Sequence, residues 1–403
     1  MCPSACSKRR VCTDTGNWFT KDVDMQPYQK RNRHFESLVS NPDLIWMGQN
    51  TNHLPSHPAV KLAMTDAIAA EDYHAYAPPT GLEELRHLML ADFGVEDADI
   101  LITDGAIEGL YHACHHLLSA GERMITTDPG WPWPEAFSRL SGADVVALPI
   151  YEAKSDYRLG ITQLEDAVSE QGAKMIYLID PLNPLGISYT EAEIEAFSGI
   201  ARQAGAWLIH DCTYRHFAHH HTLAYHHYPE RTITTYSFSK WLGLAGMRLG
   251  GLMARPDLIE ILSTAQPNAL GSNLVTQRGA IAGLKTKEEW FPEVNQIQRT
   301  NQGAIQRAVD PINGLDLPVY PSNGNFVVID SSVAGIPPET LVSLYLEEGI
   351  MIRQAAYQSK LYADRFVKVS TTVPSWQVDR FCELLPQVTG IALENTNAER
   401  TFY

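Results

Sequence analysis

An α/β fold built on a mostly parallel sheet is predicted by two patterns in this sequence. Between about residues 100 and 255, seven short apolar runs alternate with helix-like stretches. Apolar residues and threonines fill most positions of each run, so we expect strands that are covered on both faces by helices, as in a parallel sheet. A smaller set of apolar runs begins near residue 325 and again alternates with helical stretches, which predicts a second α/β region.

The predicted strands and helices, taken in chain order, indicate where these two regions begin and end. The predicted strands of the larger region are residues 100–103, 123–127, 145–150, 174–179, 206–210, 232–236 and 251–254. Residues 273–309 form one long helical pattern interrupted near 290–292, which predicts a connecting helix. Beyond it, strands at 325–329, 350–352 and 366–370 alternate with helices at 338–348 and 375–385. We therefore expect an N-terminal segment (1–47) that joins the small domain, a large domain (48–285) and a small C-terminal domain (286–403).

Composition narrows the class of partner. The 403 residues are 44% hydrophobic and carry 31 basic against 47 acidic residues, a net charge of −16. A disordered or repeat protein is improbable on this composition. The negative charge also argues against a nucleic-acid backbone or an anionic membrane surface as partner, and no uncharged run approaches the 18 residues that span a bilayer. A small-molecule ligand is the better expectation.

Cysteine usage points to a reducing, cytoplasmic setting. Six cysteines are too few for a disulfide framework in a chain of this length. Cys2, Cys6 and Cys12 are clustered, but no second cluster completes a metal-binding set. We predict no metal site.

The most informative segment surrounds Lys240. This lysine lies just past a predicted strand, with Ser237 and Ser239 before it and Arg248 eight residues after it, in a Gly-Met-Arg-x-Gly context. Hydroxyl groups and a guanidinium around one lysine suit a phosphate monoester held beside a reactive amine. The segment resembles the cofactor-lysine signature of the fold-type I pyridoxal-phosphate enzymes, the aspartate aminotransferase superfamily.

Two further motifs carry this resemblance. Asp211 and Tyr214 form an Asp-x-x-Tyr at a strand end, and Asn183 lies in an Asn-Pro-x-Gly turn. The resemblance implies that Asp211 faces the pyridine nitrogen of pyridoxal 5'-phosphate and keeps it protonated. It also implies that Tyr214 and Asn183 lie near the phenolic oxygen of the cofactor, and that Asn183 contacts the substrate carboxylate.

The remaining cofactor residues follow from the same resemblance. Gly105, Ala106 and Ile107 join a strand to a helix as the phosphate loop of the family does, where backbone N–H groups and the helix dipole favour an anion. Trp131 stands where the family stacks an aromatic residue on the pyridine ring, with Trp133 as a rival. Tyr76 resembles the tyrosine that family members lend to the phosphate of a neighbouring subunit, which implies a homodimer.

One position departs from the family pattern. Members that act on ordinary amino acids carry an arginine in a strand that reads like Phe-x-Arg-x-Ser, and this arginine grips the substrate carboxylate. Here the strand places Lys368 at that position, and an ammonium group cannot reproduce the planar two-point fork of arginine. Lys368 is our candidate substrate-binding residue. Arg353 or Arg365 could compensate, or the substrate could be unusual.

Histidines are frequent between residues 210 and 227, but their spacing is irregular. A surface loop at the rim of the site is the simpler interpretation, and a metal site is not expected there.

The predicted function is transamination of an amino acid or related amine through a Schiff base on Lys240. A lyase, a decarboxylase or a biosynthetic cyclase on the same fold is the alternative, because the cofactor activates whichever α-bond is held perpendicular to its ring. A ligand-sensing protein without activity is the alternative from another class, and the intact Lys240, Asp211 and Tyr214 count against it.

Overall fold

The computed structural model describes residues 26–264 and 270–394. Cys2, Cys6 and Cys12 lie outside the described residues. By their contacts the residues form two compact units, one that reaches Leu44 and one that begins at Ile45. In the first unit the helix α1 (Pro27–Val39) starts at a proline, whose fixed φ suits a first helical turn. The division at residues 47/48 and 285/286 stays a prediction.

The second unit contains a seven-stranded sheet. Its strands are β2 (Asp99–Thr103), β3 (Arg123–Asp128), β4 (Asp144–Pro149), β5 (Met175–Ile179), β6 (Trp207–Asp211), β7 (Thr232–Ser237) and β8 (Gly250–Ala254). They lie in the order β2-β8-β7-β6-β5-β3-β4. Strand β8 is antiparallel to β2 and β7, and the other pairs are parallel. All residues of β5, β7 and β8 are buried, so the prediction of a mostly parallel α/β sheet is confirmed.

A smaller group of strands follows in the chain. Strands β9 (Phe326–Asp330), β11 (Arg353–Gln354) and β12 (Phe366–Ser370) form an antiparallel sheet in the order β11-β12-β9. Strand β1 (Ile45–Trp46) pairs in parallel with β10 (Ile350–Met351). This sheet packs against the helices α11 (Pro338–Glu347) and α12 (Ser375–Glu394). Their apolar residues belong to one core cluster that includes Val327, Leu341 and Phe381.

Helices fill the intervals between the strands. In the described residues these are α1 (Pro27–Val39), α2 (Pro58–Ala69), α3 (Glu83–Phe93), α4 (Ala106–Leu117), α5 (Pro132–Leu140), α6 (Ile161–Gln171), α7 (Glu191–Ala204), α8 (Pro256–Thr264), α9 (Leu274–Lys285), α10 (Lys287–Val309), α11 (Pro338–Glu347) and α12 (Ser375–Glu394). None of the helices in this part of the chain is long and apolar enough to cross a membrane.

The connecting helix differs from its prediction. It is two helices, α9 and α10, which meet at Thr286. The interruption predicted at 290–292 does not occur, because Pro292 falls in the second turn of α10 and removes only one backbone hydrogen bond there.

Candidate active site

Strand register brings the predicted site residues to one edge of the sheet. Asp211 is level with Ile179 of β5 and with Thr235 of β7. On the other side of β7, Gly250 is level with both Ser237 and Thr103. The segments that follow β2, β5, β6 and β7 therefore start at the same edge. This is the carboxyl edge of the parallel strands, where ligands of open α/β sheets bind.

The turn after β2 is shaped for an anion. Gly105 precedes α4 with a φ of 85°, a conformation that favours glycine. Ala106 and Ile107 then occupy the first helical turn, whose N–H groups have no acceptor within the helix. Arg248 lies against this turn: its Nη2 donates to the carbonyl of Asp104 at 3.3 Å. A Cβ on Gly105 would lie 2.4 Å from the same nitrogen and would displace Arg248 from the turn.

Lys240 follows β7 on a short segment with two serines. Ser237 and Ser239 are buried, and the N–H of Ser239 donates to the hydroxyl of Ser237 at 3.3 Å. The Nζ of Lys240 donates to the carbonyl of Gln49 at 3.0 Å and lies 5.8 Å from the ring centroid of Tyr214. Burial, followed by the charges of Arg248 and Arg353, lowers the pKa of Lys240 to about 8. A usable fraction of this amine is therefore uncharged near neutral pH.

Three donors hold the carboxylate of Asp211. Its Oδ1 accepts from the hydroxyl of Thr235 at 2.6 Å and from the N–H of Thr213 at 3.1 Å. Its Oδ2 accepts from the hydroxyl of Tyr177 at 2.7 Å. Burial, and then the charge of Asp211, raise the pKa of Tyr177 well above its usual value, so that the hydroxyl stays a donor. The carboxylate is thereby fixed in orientation.

An amide cluster joins Tyr214 to Asn183. The Nδ2 of Asn50 donates to the hydroxyl of Tyr214 at 3.1 Å and to Oδ1 of Asn183 at 3.3 Å. The same Oδ1 accepts from Nε2 of Gln358 at 2.7 Å and from Nζ of Lys368 at 2.9 Å. Sequence reasoning missed Asn50 and Gln358, which lie in segments without a motif. The left-handed φ of Asn50, 54°, is a conformation that asparagine tolerates, but the sequence does not reveal it.

Two cations from the smaller sheet face this cluster. Lys368 of β12 is level with Arg353 of β11, and only 3% of Lys368 is exposed. The guanidinium carbon of Arg353 lies 4.2 Å from the ring centroid of Tyr357. No carboxylate of the described chain lies within salt-bridge distance of Lys240, Lys368 or Arg353. Arg365 is not part of this group, and its Nη1 donates to the hydroxyl of Ser332 at 3.3 Å.

Three aromatic residues meet beside Arg353. Trp131 packs edge-on against Tyr357 with ring centroids 5.7 Å apart. The indole N–H of Trp133, the rival candidate, donates to the hydroxyl of Tyr357 at 3.1 Å. Both tryptophans therefore contact Tyr357. Tyr76 is 78% exposed in a single protomer.

The histidines after β6 are not a simple surface loop. His219, His220 and His226 are exposed, but His216 is buried against Asp92 and His221 against Asp180. The expectation of a surface loop is wrong for these two, because buried carboxylates recruit imidazole donors.

Asp180 is the centre of one such group. His210, Cys212 and His221 could each offer a metal ligand, and their ligand atoms lie within 4.8 Å of one another. Nδ1 of His210 accepts from the N–H of Ala224, so its Nε2 carries the proton and faces Asp180 at 3.5 Å. Nε2 of His221 donates to the carbonyl of Asp180 at 3.0 Å. Oδ1 of Asp180 accepts from the hydroxyl of Ser188 at 2.7 Å and from the N–H of Tyr189 at 3.2 Å, and these bonds support the loop that carries Asn183. Oδ2 of Asp180 and Nε2 of His210 have no hydrogen-bond partner in the described chain.

These groups fit a particular kind of ligand. A phosphate suits the N–H groups of α4 with the serine hydroxyls and Arg248, an aldehyde suits the amine of Lys240, and a protonated ring nitrogen suits the fixed carboxylate of Asp211. A side chain at position 105 would fill the space beside Arg248 in this turn, and the glycine leaves that space open. One small molecule, pyridoxal 5'-phosphate, carries all three functions, and the fold together with the site defines an enzyme that uses it.

Comparison with known proteins identifies the family. Residues 42–385 match the family model "Aminotransferase class I and II", and the chain belongs to this family. It is 26% identical over 333 residues to an aspartate aminotransferase of Streptomyces avermitilis, covering 76% of this chain and 79% of that protein. It is 27% identical over 337 residues to a histidinol-phosphate aminotransferase of Methanosarcina mazei, covering 82% and 84%.

Solved structures agree on the fold. The aspartate aminotransferase of Thermus thermophilus with maleate superposes with a TM-score of 0.78 at 20% identity, over 90% of this chain and 97% of that one. An aminotransferase of Mycobacterium tuberculosis gives 0.79 at 19% identity, over 92% and 98%. The predictions of a fold-type I enzyme, of pyridoxal phosphate as cofactor and of transaminase activity are confirmed.

Proposed function

We propose that this aminotransferase acts on an amino acid through Lys240, which holds the cofactor and moves the proton of the substrate. The observation that carries the proposal is the state of the Lys240 amine. It lies at the carboxyl edge of the sheet, contacts only a backbone carbonyl as acceptor, and has a pKa lowered to about 8. An amine that is partly uncharged at neutral pH can act both as a nucleophile and as a base.

The phosphate is assigned to the segment around α4. We assign it to the N–H groups of Gly105, Ala106 and Ile107, to the hydroxyls of Ser237 and Ser239, and to Arg248. The register of Thr103, Gly250 and Ser237 supports this assignment, because it brings all of these groups to one place. Tyr76 completes the set from a second subunit in a homodimer, which its exposure in one protomer supports.

The ring of the cofactor is assigned to the groups between β6 and α5. When bound, pyridoxal phosphate supplies an electron sink for the charge left at the α-carbon of the substrate. Asp211 holds a proton on the ring nitrogen, and its three donors keep the carboxylate in place for this. Tyr214 and Asn183 donate to the phenolic oxygen, and Trp131 packs on the ring.

The substrate carboxylate is assigned to Lys368 and Asn183, with Arg353 beside them. Lys368 and Arg353 are level on adjacent strands and have no carboxylate partner in the described chain, so a carboxylate from outside can bind to both basic groups. Nζ of Lys240 would accept the proton from the α-carbon of the substrate and hold it for return to the bound cofactor. We also propose a cytoplasmic location, since Cys114, Cys212 and Cys382 are free thiols.

Reduction with borohydride tests the lysine assignment. The reduced, labelled cofactor should remain on the peptide that contains Lys240, and Lys240→Ala should stay folded while losing keto-acid formation from a panel of amino donors. Lys360→Ala is the matched control, because this exposed lysine pairs only with Glu135. Label on another lysine would refute the assignment. Release of carbon dioxide with an amine product, or of free ammonia together with a keto acid and without amination of an acceptor, would favour the lyase alternative.

A further inference from the structure

Lys368 is a lysine in an unusual place. It stands in the middle of β12, where every residue is buried, and its Nζ donates to the amide oxygen of Asn183 at 2.9 Å. Its Nζ also lies 5.4 Å from the ring centroid of Phe326 on β9. No carboxylate of the described chain lies within salt-bridge distance of this nitrogen.

The charged and titratable groups around it are cations or neutral donors. Arg353 faces it from β11, and Lys240 acts on it from the end of β7. Tyr214, which packs edge-on against the same Phe326 ring, is kept neutral because burial raises its pKa. The hydrogen-bond acceptor of Lys368 is the neutral amide of Asn183, whose Oδ1 also accepts from the amide of Gln358.

This setting favours the uncharged amine. A buried ammonium without a counter-ion is costly, and the permanent positive charge of Arg353 on the adjacent strand adds to the cost. Burial first, then Arg353 and Lys240, lower the pKa of Lys368 well below its usual value. A neutral amine still donates one N–H to Asn183 and keeps a lone pair, so the hydrogen bond in the structure is compatible with either state.

We propose that Lys368 is a proton-coupled anchor, uncharged in the resting enzyme, which takes up one proton from solvent when a substrate carboxylate binds beside Arg353. The inference rests on the proposed function, since it takes this carboxylate site to be that of the substrate. The proton adds to the lone pair of Nζ, and the new ammonium pairs with the entering anion. An arginine at this position would behave differently, because a guanidinium stays protonated at every relevant pH.

The proposal has a defined consequence for pH dependence. If the complex binds one more proton than the free enzyme, affinity for a carboxylate rises as pH falls. Its dissociation constant should change by about tenfold per pH unit between the pKa of the free amine and that of the complex. With Lys368→Arg this dependence should fall below about twofold per unit.

Calorimetry of the holoenzyme with maleate, in buffers of different ionisation enthalpy between pH 7 and 9, measures the proton uptake directly. Maleate has no amino group and cannot react. Visible absorbance of the same samples follows the protonation state at Lys240, so that contribution is subtracted. We expect about one further proton for the unaltered enzyme and for the control Lys360→Arg, and none for Lys368→Arg.

Two results would overturn the proposal. One is equal proton uptake by the unaltered enzyme and Lys368→Arg after the subtraction. The other is the absence of saturable maleate binding, which would mean that Arg353 and Lys368 do not form a carboxylate site. Either result is distinguishable from failure of the proposed function, because borohydride labelling of Lys240 and keto-acid formation are measured independently of maleate.

Discussion

The carboxylate of Asp92 accepts hydrogen bonds from three other segments of the chain, and its replacement by asparagine should destabilise the protein strongly. The carboxylate of this residue of α3 accepts from Arg215, from Nε2 of His216 at 2.9 Å, from Lys287 and from the hydroxyl of Tyr236 at 2.7 Å. Burial alone would raise the pKa of Asp92, but its partners hold it well below its usual value.

The magnitude follows from the charges left behind. The Asp92→Asn change leaves Arg215 and Lys287 without their shared anion, and both side chains are at least 85% buried. Removing one partner of a buried ion pair costs about 3–5 kcal/mol. With an unfolding entropy of about 2.1 cal/mol/K per residue, this corresponds to a fall of about 4–6 °C in the melting temperature of the chain.

Thermal and urea unfolding at pH 7, with Asp144→Asn as the matched control, measure this cost. Asp144 pairs with Arg123 at 3.5 Å and is largely exposed, so its loss should cost less than about 1 kcal/mol. Because the folded pKa of Asp92 lies below its unfolded value, its contribution is present above about pH 4. The contribution is lost as pH falls further, so the gap between the two proteins should narrow in acid. Equal stability of Asp92→Asn and Asp144→Asn at pH 7 would refute the reasoning.

The other predictions concern the ligand-binding groups. Asp211→Asn should stay folded and lose turnover by about a hundredfold, the scale of removing one charge-stabilising group, in a keto-acid assay; unchanged turnover would contradict the role of Asp211. Tyr76→Phe should release the cofactor faster on dialysis without changing the dimer seen by light scattering. A fully active monomer would exclude the shared site.

Burial on both faces explains why the large sheet was predictable. The strands β5, β7 and β8 are buried at every position, so their sequences are rich in apolar residues, threonine and glycine and contain no charged residue before the polar site residues begin. Lys240, Asp211 and Ser237 could be recognised from sequence because each follows or ends such a run.

Long-range packing explains what was missed. Asn50 reaches Asn183 and Tyr214 across more than 130 positions of sequence, and Gln358 reaches Asn183 across 175. Neither residue lies in a local pattern that announces such a contact. The break between α9 and α10 was misplaced for a different, local reason. A proline near the start of a helix removes little hydrogen bonding, so Pro292 does not end α10.

Lys240, Lys368 and Arg353 have no carboxylate partner in the described chain, so the stability of the folded protein depends on the anions that it binds. After burial, the charge of Arg353 lowers the pKa values of both Lys240 and Lys368, although the chain as a whole carries a net charge of −16. Burial of these basic groups without a carboxylate partner costs the folded state stability, and an anion that binds only to the folded state recovers stability by mass action. Under the proposed function, the substrate carboxylate would be the counter-ion at Lys368 and Arg353, and the cofactor phosphate would be the counter-ion at Arg248. In a cell short of the cofactor, more of the chain would unfold and be degraded, so that enzyme abundance would follow cofactor supply without a dedicated regulator.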